Sequence, residues 1–292
     1  AFPKAYILGV TATPLRLDGR GLSEWFEKLI CGPSMQELID GGYLATPRLY
    51  VPPSDLDLTG VHSRAGDFAH DELTARVDKP SITGSAVAEY SKLCPRVPAI
   101  AFCTGIEHAK HVTENFRVAG FGWGLLVGKP EMTDAERRTA TRNLELGIWQ
   151  GVSTVDLVSE GYDVPRVECI IGLRPTQSLG LCLQQWGRGL RAYPGKKQCW
   201  ILDHAGNVFR HGMPQEPREW SLDGVNRKPS ESEFTEKVRQ CPACYACHHP
   251  APMCPECGHV YEIIGRAVAE KDGDLAEVTA EDMERMREQL AT

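Results

Sequence analysis

Short apolar runs alternate with helix-patterned segments between Pro47 and Gly206, and this alternation constrains the fold more than any other feature of the sequence. The apolar runs predicted as buried strands are 48–52, 99–104, 124–128, 152–159, 167–173 and 198–206. Between them, residues 106–120 carry apolar side chains at helical spacing, and Thr133 followed by Glu136 is typical of a helix N-terminus. The pattern predicts an α/β fold with a parallel sheet covered by helices on both faces.

Polar segments surround this alternation. Residues 53–75 and 207–240 are predicted as loops, and 226–240 is predicted as a linker to a cysteine-rich segment. After about residue 264 the sequence is charged and compatible with a solvent-exposed helix, to which no function is assigned.

The charge balance limits the classes of protein that the chain can belong to. The formal net charge is −7, which argues against a histone-like protein that binds nucleic acid by charge alone. A local basic groove is still compatible with this balance, because steering depends on where the charges lie. No apolar run approaches the length of about 18 residues that crosses a membrane, so no membrane partner is predicted.

The first residue and the scattered cysteines indicate the context of the chain. Residue 1 is Ala and no signal peptide follows it, so we expect the chain to start inside a longer reading frame or after processing. Several scattered cysteines lie in apolar runs, where a free thiol packs as a small hydrophobic group. Together with one cysteine cluster, they predict a reducing compartment rather than a disulfide framework.

The segment QQWGRGLRAYPG, which starts at Gln184, carries the first candidate site. Arg188 and Arg191 are three residues apart, so on a helix they face the same way. Paired guanidinium groups suit phosphate, and Gly187 and Gly189 allow a ligand or another backbone to come close. The alternative is a helix end whose arginines complement the helix dipole and pair with carboxylates.

Two other polar segments follow apolar runs. TATP at 11–14 comes directly after AYILGV, which is predicted to form a strand. SEGYD at 159–163 comes after the apolar run that begins at Val152. Because ligands of parallel sheets gather at the carboxyl ends of strands, the second segment is a candidate for binding ribose or phosphate.

In this order and spacing, GVTATPLRLDG, VSTVDLVSEGYDVP and QQWGRGLR resemble motifs III, V and VI of superfamily 2 helicases. The resemblance covers about residues 5–225, and ILDHAGNVFRHG narrows it to the DEAD/DEAH-like helicases of phages and bacteria, a group that includes restriction-type translocases. It implies two RecA-like lobes with ATP and Mg²⁺ between them and DNA, or RNA, across both. It also implies a cytoplasmic location in a bacterial or phage-infected cell.

The resemblance assigns roles to individual residues. Arg188 and Arg191 would be arginine fingers that complete the ATP site of the other lobe, and Gln184 would help to organise the cleft. Three further groups receive roles, namely the nucleotide-binding loop with Glu160, Gly161 and Asp163, the coupling segment with Thr11, Ala12 and Thr13, and the nucleic-acid contacts Thr104 and Thr154.

The sequence departs from the family's pattern in one respect. No G-x-x-x-x-G-K-[ST] phosphate loop and no D-E-x-[DH] box occur in the sequence, and the glycine-rich GFGWG at 120–124 has no lysine. We therefore expect the chain to be inactive alone and to work with a first RecA-like lobe, in the same longer chain or in trans. The alternatives are a non-catalytic nucleic-acid-binding or regulatory module and a protein-binding adaptor.

Five cysteines crowd into residues 241–257. Two C-x-x-C pairs separated by a short loop are typical of a zinc ribbon, because four thiolates at this spacing can close a tetrahedron. The predicted zinc ligands are Cys241, Cys244, Cys254 and Cys257. A first knuckle made by Cys244 and Cys247, an iron–sulfur site and a disulfide are alternatives, and the metal is expected to be structural.

The domain organisation predicted from these segments has five parts. They are the end of a first RecA-like lobe at 1–47, the second lobe at 48–225, a linker at 226–240, the zinc ribbon at 241–263 and a charged tail at 264–292.

Three residues have both a functional and a structural interpretation. Asp203 and His204 follow the last apolar run and are either catalytic or part of a strand-end turn, and we favour the turn. Trp186 lies beside the arginines and could stack on a nucleobase, although tryptophans near a sheet are more often in the core.

Overall fold

An eight-stranded, mostly parallel sheet is the centre of the structure. The computed structural model describes residues 6–16, 21–53, 56–64, 66–155, 163–223 and 238–262. The helices are α1 (Met35–Asp40), α2 (His70–Val77), α3 (Pro80–Leu93), α4 (Ile106–Val118), α5 (Asp134–Glu145), α6 (Leu179–Leu190) and α7 (Asn207–His211). The strands are β1 (Thr46–Tyr50), β2 (Ser63–Arg64), β3 (Asp67–Phe68), β4 (Ala99–Phe102), β5 (Trp123–Leu126), β6 (Gly151–Thr154), β7 (Cys169–Gly172), β8 (Gln198–Asp203), β9 (Arg239–Gln240) and β10 (Ala246–His248).

The strand order confirms the predicted fold class. It is β5-β6-β4-β7-β8-β1-β10-β9, parallel from β5 to β1, with β10 and β9 added antiparallel. β4, β6 and β7 are buried along their whole length, as strands covered on both faces are. α4 packs on β5 and β6, and α6 packs on β7 and β8.

Tryptophan side chains fill the spaces that glycines leave in two strands. A Cβ atom at Gly151 would lie 2.3 Å from the ring of Trp123, and one at Gly124 would lie 2.0 Å from the ring of Trp149. Trp123 stacks on Phe116 with ring centroids 3.7 Å apart. The glycine-rich segment at 120–124 therefore serves core packing, because larger side chains would push these rings out.

Local signals set the ends of two helices as the sequence indicates. Thr133 and Glu136 form a capping box, in which the Thr133 hydroxyl accepts a hydrogen bond from the Glu136 N–H at 3.3 Å. Gly120 follows the last residues of α4 at φ 89°, a conformation that glycine adopts without strain.

Two segments predicted as loops contain helices. α2 begins inside 53–75, and α7 lies inside 207–240. α2 buries Leu73 and Val77, which are one helical turn apart in an otherwise polar sequence. The loop prediction, which rested on polar composition, was wrong here. Two apolar residues one turn apart are enough to hold a short helix against the core.

The strand predicted for AYILGV is not formed by its described residues 6–10. The side chains of Tyr6, Ile7, Leu8 and Val10 are exposed. A strand needs a neighbour for its backbone N–H and C=O groups, and no described strand lies beside this segment.

The cysteine-rich segment continues the main sheet. β10 pairs with β1, with Leu49 opposite Cys247 and Tyr50 opposite Ala246. Residues up to Val260 form one compact unit. Residues 226–237 of the predicted linker and all of the predicted tail lie outside the described residues. Among the described helices, none is both long and apolar enough to cross a membrane.

Candidate functional site

Helix α6 carries the arginine pair and is fixed against the sheet. Ser178 caps its N-terminus, and its hydroxyl accepts a hydrogen bond from the Leu181 N–H at 3.3 Å. A Cβ atom at Gly189 would lie 2.5 Å from Cys199 Sγ, so this glycine lets the helix approach the strands directly. The space beside Gly187 is open, so only one of the two glycines leaves room for a ligand.

The predicted coupling segment contacts the arginine helix. Gln184 Nε2 donates a hydrogen bond to Thr13 Oγ1 at 2.8 Å. Thr11 Oγ1 accepts from the Thr13 N–H at 3.1 Å and donates to the Thr13 carbonyl at 3.0 Å, which shapes the turn that contains Ala12. Two motifs at opposite ends of the sequence therefore meet on one face of α6.

Arg191 lies just beyond α6 with a non-helical ψ of 138°, so only Arg188 of the pair is on the helix itself. Arg191 forms an ion pair with Asp163. The side chains are 37% and 67% exposed, so the pair contributes at most about 1 kcal/mol to stability. Arg188 is half-buried on the preceding turn. Glu160 and Gly161, predicted to join Asp163 in the nucleotide-binding loop, lie outside the described residues.

The two threonines predicted to contact nucleic acid are buried at the carboxyl edge of the sheet. Thr104 Oγ1 lies 2.9 Å from His108 Nδ1, which also accepts a hydrogen bond from the Thr104 N–H at 3.3 Å. Burial lowers the pKa of His108 to about 4, so the imidazole is neutral near pH 7. Thr154 Oγ1 is buried with no hydrogen-bond partner among the described residues. The structure gives Thr104 an internal role, and a phosphate contact by either residue stays a prediction.

Trp186 belongs to the core and is only 2% exposed. The idea that it stacks on a nucleobase is therefore wrong for this structure. Trp186 is two positions from the half-buried Gln184 and Arg188, which is roughly 200° around the helix, so it lies on the opposite face, which packs against the sheet.

A buried polar network, which the sequence did not reveal, holds the segment between β7 and α6. The Asp67 carboxylate accepts hydrogen bonds from Arg174 Nη2 at 3.3 Å, Thr176 Oγ1 at 2.9 Å and Gln177 N–H at 2.7 Å. Asn207 Oδ1 accepts from the Thr176 N–H at 3.0 Å, and Asn207 Nδ2 donates to the Arg174 carbonyl at 2.9 Å. The network fixes where α6 begins, and polar residues spread over three distant segments gave no local pattern.

Asp203, the first residue of the segment DHAGN, has a structural role, which agrees with the strand-end turn that we favoured from the sequence. Asp203 Oδ2 accepts the Val208 N–H at 2.8 Å at the start of α7. Burial raises the pKa of Asp203 to about 6. His211 Nε2 donates to the Thr176 carbonyl at 2.9 Å, and burial lowers the pKa of His211 to about 4.

The four cysteines predicted as zinc ligands lie together. Their Sγ atoms are all within 4.8 Å of one another, with Cys241 and Cys257 3.6 Å apart and Cys244 and Cys254 3.8 Å apart. Tetrahedral zinc with bonds of about 2.3 Å places its sulfur ligands about 3.8 Å apart, so the cluster fits this metal. Cys247 is outside the cluster in β10, which removes it as the alternative ligand. Each of the eleven cysteines is a free thiol in the structure, so the disulfide alternative is not formed.

The second knuckle is fastened to the sheet by Glu256. Its carboxylate forms an ion pair with Arg48 of β1 and accepts a hydrogen bond from Tyr50 Oη at 3.2 Å. Burial, and then the nearby Glu256 charge, raise the pKa of Tyr50 to about 12, so the phenol remains a donor. The cysteine cluster and the parallel sheet are therefore joined by backbone and side-chain contacts.

Comparisons with known proteins agree with this geometry. No protein-family model matches the chain. The "51.5 kDa protein" of a Lactococcus phage is 31% identical over 88% of this chain and 56% of its own length. The "putative mitochondrial ATP-dependent helicase irc3" of Schizosaccharomyces pombe is 28% identical over 79% of this chain and 37% of its own length. The chain thus spans about half or less of the length of these relatives.

A solved structure supports the fold. The fragment of a putative HsdR subunit of a type I restriction enzyme from Vibrio vulnificus has a TM-score of 0.58 and 24% sequence identity. The match covers 72% of this chain and 42% of that one. The predicted resemblance to helicases is therefore confirmed: the chain is similar in sequence to proteins named as ATP-dependent helicases. It combines the RecA-like fold that it shares with the HsdR fragment with a four-cysteine cluster.

Proposed function

We propose that this chain is the C-terminal part of an ATP-dependent DNA helicase or translocase, which couples ATP hydrolysis to movement on nucleic acid. The hydrogen bond between Gln184 and Thr13 carries the proposal. It joins the helix that bears Arg188 and Arg191 to the segment expected to sense the position of a first RecA-like lobe. The helicases among the relatives support the reaction class.

The exposed end of α6 is the side on which ATP with Mg²⁺ would bind, between this lobe and the first. Arg188 is half-buried and the Arg191 side chain is 37% exposed, and paired guanidinium groups suit a triphosphate in charge and in shape. ATP supplies the phosphoryl group whose transfer to water drives the cycle. Arg188 and Arg191 would stabilise the negative charge that develops on it.

Asp163 orients Arg191 until the cleft closes. The ion pair is exposed, so exchanging the carboxylate for a phosphate oxygen costs little free energy. Gln184 holds Thr13 against α6, so a change in the position of the arginines moves the coupling segment as well.

The carboxyl edge of the sheet is the surface that we assign to DNA, with RNA as a possible alternative. Contacts from Thr104 and Thr154 would go to backbone phosphates, which makes binding salt-sensitive and only weakly dependent on sequence. The cluster of four cysteines would hold Zn²⁺ as a structural ion beside this edge.

The test compares arginine variants of the chain joined to, or mixed with, a first RecA-like lobe. Arg188→Ala should lower the kcat of DNA-stimulated ATP hydrolysis by about 10³-fold with a small change in KM, because the guanidinium acts on transition-state charge. Arg138→Ala, at an exposed position on α5, is the matched control and should have no effect. Unchanged hydrolysis in Arg188→Ala would contradict the role of that residue.

DNA binding separates the proposal from its alternatives. A helicase lobe binds single-stranded DNA at low salt, and its affinity falls as salt rises. Binding without stimulated hydrolysis in the two-lobe protein would support a non-catalytic module instead. No binding at low salt would indicate a protein-binding adaptor.

A further inference from the structure

A pocket of about 440 Å³ opens where β1 and β8 end, and none of its lining residues belongs to α6. Its walls come from two neighbouring parallel strands, from α7 and from β9. The lining residues include Pro52, Pro53, His204, Phe209, Arg210 and Gln240. Because the strands are parallel, the pocket lies on the same sheet edge as Thr104 and Thr154, roughly 14 Å along from the end of β6.

One buried polar group in this pocket has no partner in the described residues. His204 is 2% exposed, and its Nε2 atom is buried without a hydrogen bond. A polar atom left in this way costs about 1–3 kcal/mol unless something binds to it. Burial lowers the pKa of His204 to about 4, so the ring is neutral near pH 7 and Nε2 can donate or accept according to its tautomer.

The other walls are flat and apolar, with one cation. Pro52, Pro53 and Phe209 contribute apolar rings to the lining, and such rings can stack on a planar heterocycle. Arg210 brings a positive charge to the pocket, and its position is fixed by a 3.0 Å hydrogen bond to the Ala205 carbonyl and by the Phe68 ring 5.6 Å away.

The approach to the four cysteines supplies the remaining wall. Gln240 precedes the metal ligand Cys241, and its Nε2 donates to the Val51 carbonyl at 2.5 Å. The pocket is therefore built jointly by the parallel sheet and by the strand that leads into the cysteine cluster.

We infer that this pocket binds one unstacked base of a single-stranded nucleic acid, which stacks on the apolar walls and hydrogen-bonds to His204 while Arg210 faces its phosphate. The inference rests on the proposed function, because it assumes that the strand runs along this edge of the sheet. It adds a base contact to an interface otherwise expected to read only the backbone.

The test measures binding of a fluorescein-labelled oligothymidylate and of an abasic oligonucleotide of equal length, at one salt concentration. The wild-type chain, loaded with zinc, should bind the oligothymidylate about ten-fold more tightly than the abasic strand, the effect of one stacked base. His204→Phe, which keeps a buried ring but removes Nε2, and Phe209→Ala, on the half-exposed wall, should each reduce this ratio to about two-fold or less. Arg138→Gln, far across the sheet, should leave the ratio unchanged.

Each outcome has one meaning. Equal affinity of the wild-type chain for the two strands overturns the base pocket and leaves the proposed function standing. Binding of neither strand at low salt overturns the proposed function as well. A ratio that persists in both Phe209→Ala and a folded His204→Phe protein, checked by circular dichroism, places the base contact elsewhere and also overturns the inference.

Discussion

Helix α6 and the cysteine cluster lie on the same sheet but are held by different forces. α6 buries a broad apolar face that includes Leu183, Trp186 and Leu190, so hydrophobic packing fixes its arginines. In the cluster, Cys241 and Cys254 are buried whereas Cys257 is exposed, and the second knuckle is held to the sheet by the ion pair of Glu256 with Arg48. We expect a metal bound to the four thiols to hold the rest. The difference teaches that one candidate site is encoded in apolar packing, while the other depends on coordination chemistry.

Removal of the metal should have the largest effect of all the changes predicted here, and it should affect the cysteine cluster but not α6. Chelation of zinc from the loaded chain should remove hydrogen-exchange protection from β10, because structural zinc in such knuckles contributes on the order of 10 kcal/mol. Amides of α6 should keep their protection. Cys254→Ser should reproduce the effect, whereas Cys31→Ser, an exposed cysteine outside the cluster, should not. Equal protection of β10 with and without metal would contradict this picture.

The packing of α6 can be tested at its two glycines. Gly189→Ala should lower the free energy of unfolding by about 1–3 kcal/mol, since its Cβ would lie 2.5 Å from Cys199 Sγ and 2.6 Å from Ile170 Cγ1. Gly187→Ala is the matched control in the same helix, where the space is open, and should stabilise the protein by about 0.5–1 kcal/mol. Urea denaturation measures both, and equal effects of one sign would show that α6 is not seated as described.

The polar network that positions α6 should respond to acid. The pKa of His211 is about 4 in the folded protein, below its ordinary value of 6.5, so its contribution is present above pH 6.5 and is lost as pH falls toward 4. His211→Gln can keep a donor to the Thr176 carbonyl without titrating. Its stability should fall less than that of the wild type between pH 6.5 and 4, by about 1–3 kcal/mol. Parallel stability curves for the two proteins would contradict this assignment.

The ion pair of the second knuckle should have the smallest effect. Glu256→Gln removes the charge beside Arg48 and keeps an acceptor for Tyr50, so the metal-loaded protein should lose about 0.5–1 kcal/mol. The phenol pKa of Tyr50 should fall as well, because the Glu256 charge contributes to raising it. Spectrophotometric titration near pH 12 checks the second effect, and an unchanged pKa would remove Glu256 as a cause.

The parts of the molecule that could be predicted are those with local or repeated signals. Apolar runs predicted the parallel strands, Thr133 and Glu136 predicted a capping box, and paired C-x-x-C motifs predicted the cluster. Partners far apart in sequence could not be foreseen from residue patterns. Gln184 and Thr13 are 171 positions apart and meet only because the chain folds one segment onto the other.

Residues that look equivalent in the sequence also have different surroundings in the structure. Thr104 and Thr13 both follow apolar residues in the sequence, but Thr104 is turned inward to His108 and Thr13 meets the arginine helix. Trp186 adjoins the arginine motif and nevertheless faces the core. Which side of an element a residue occupies depends on packing by neighbours that no short motif contains.

The pairing of β10 with β1 has a consequence for solubility. Without it, β1 would be the open edge of a parallel sheet, with a row of unpaired N–H and C=O groups able to recruit strands of other molecules. β10 and the two-residue β9 cover that edge and leave only a very short strand exposed. The cysteine-bearing segment thus covers this edge of the sheet, and if bound metal holds β10 in place, removal of the metal should promote self-association of the lobe.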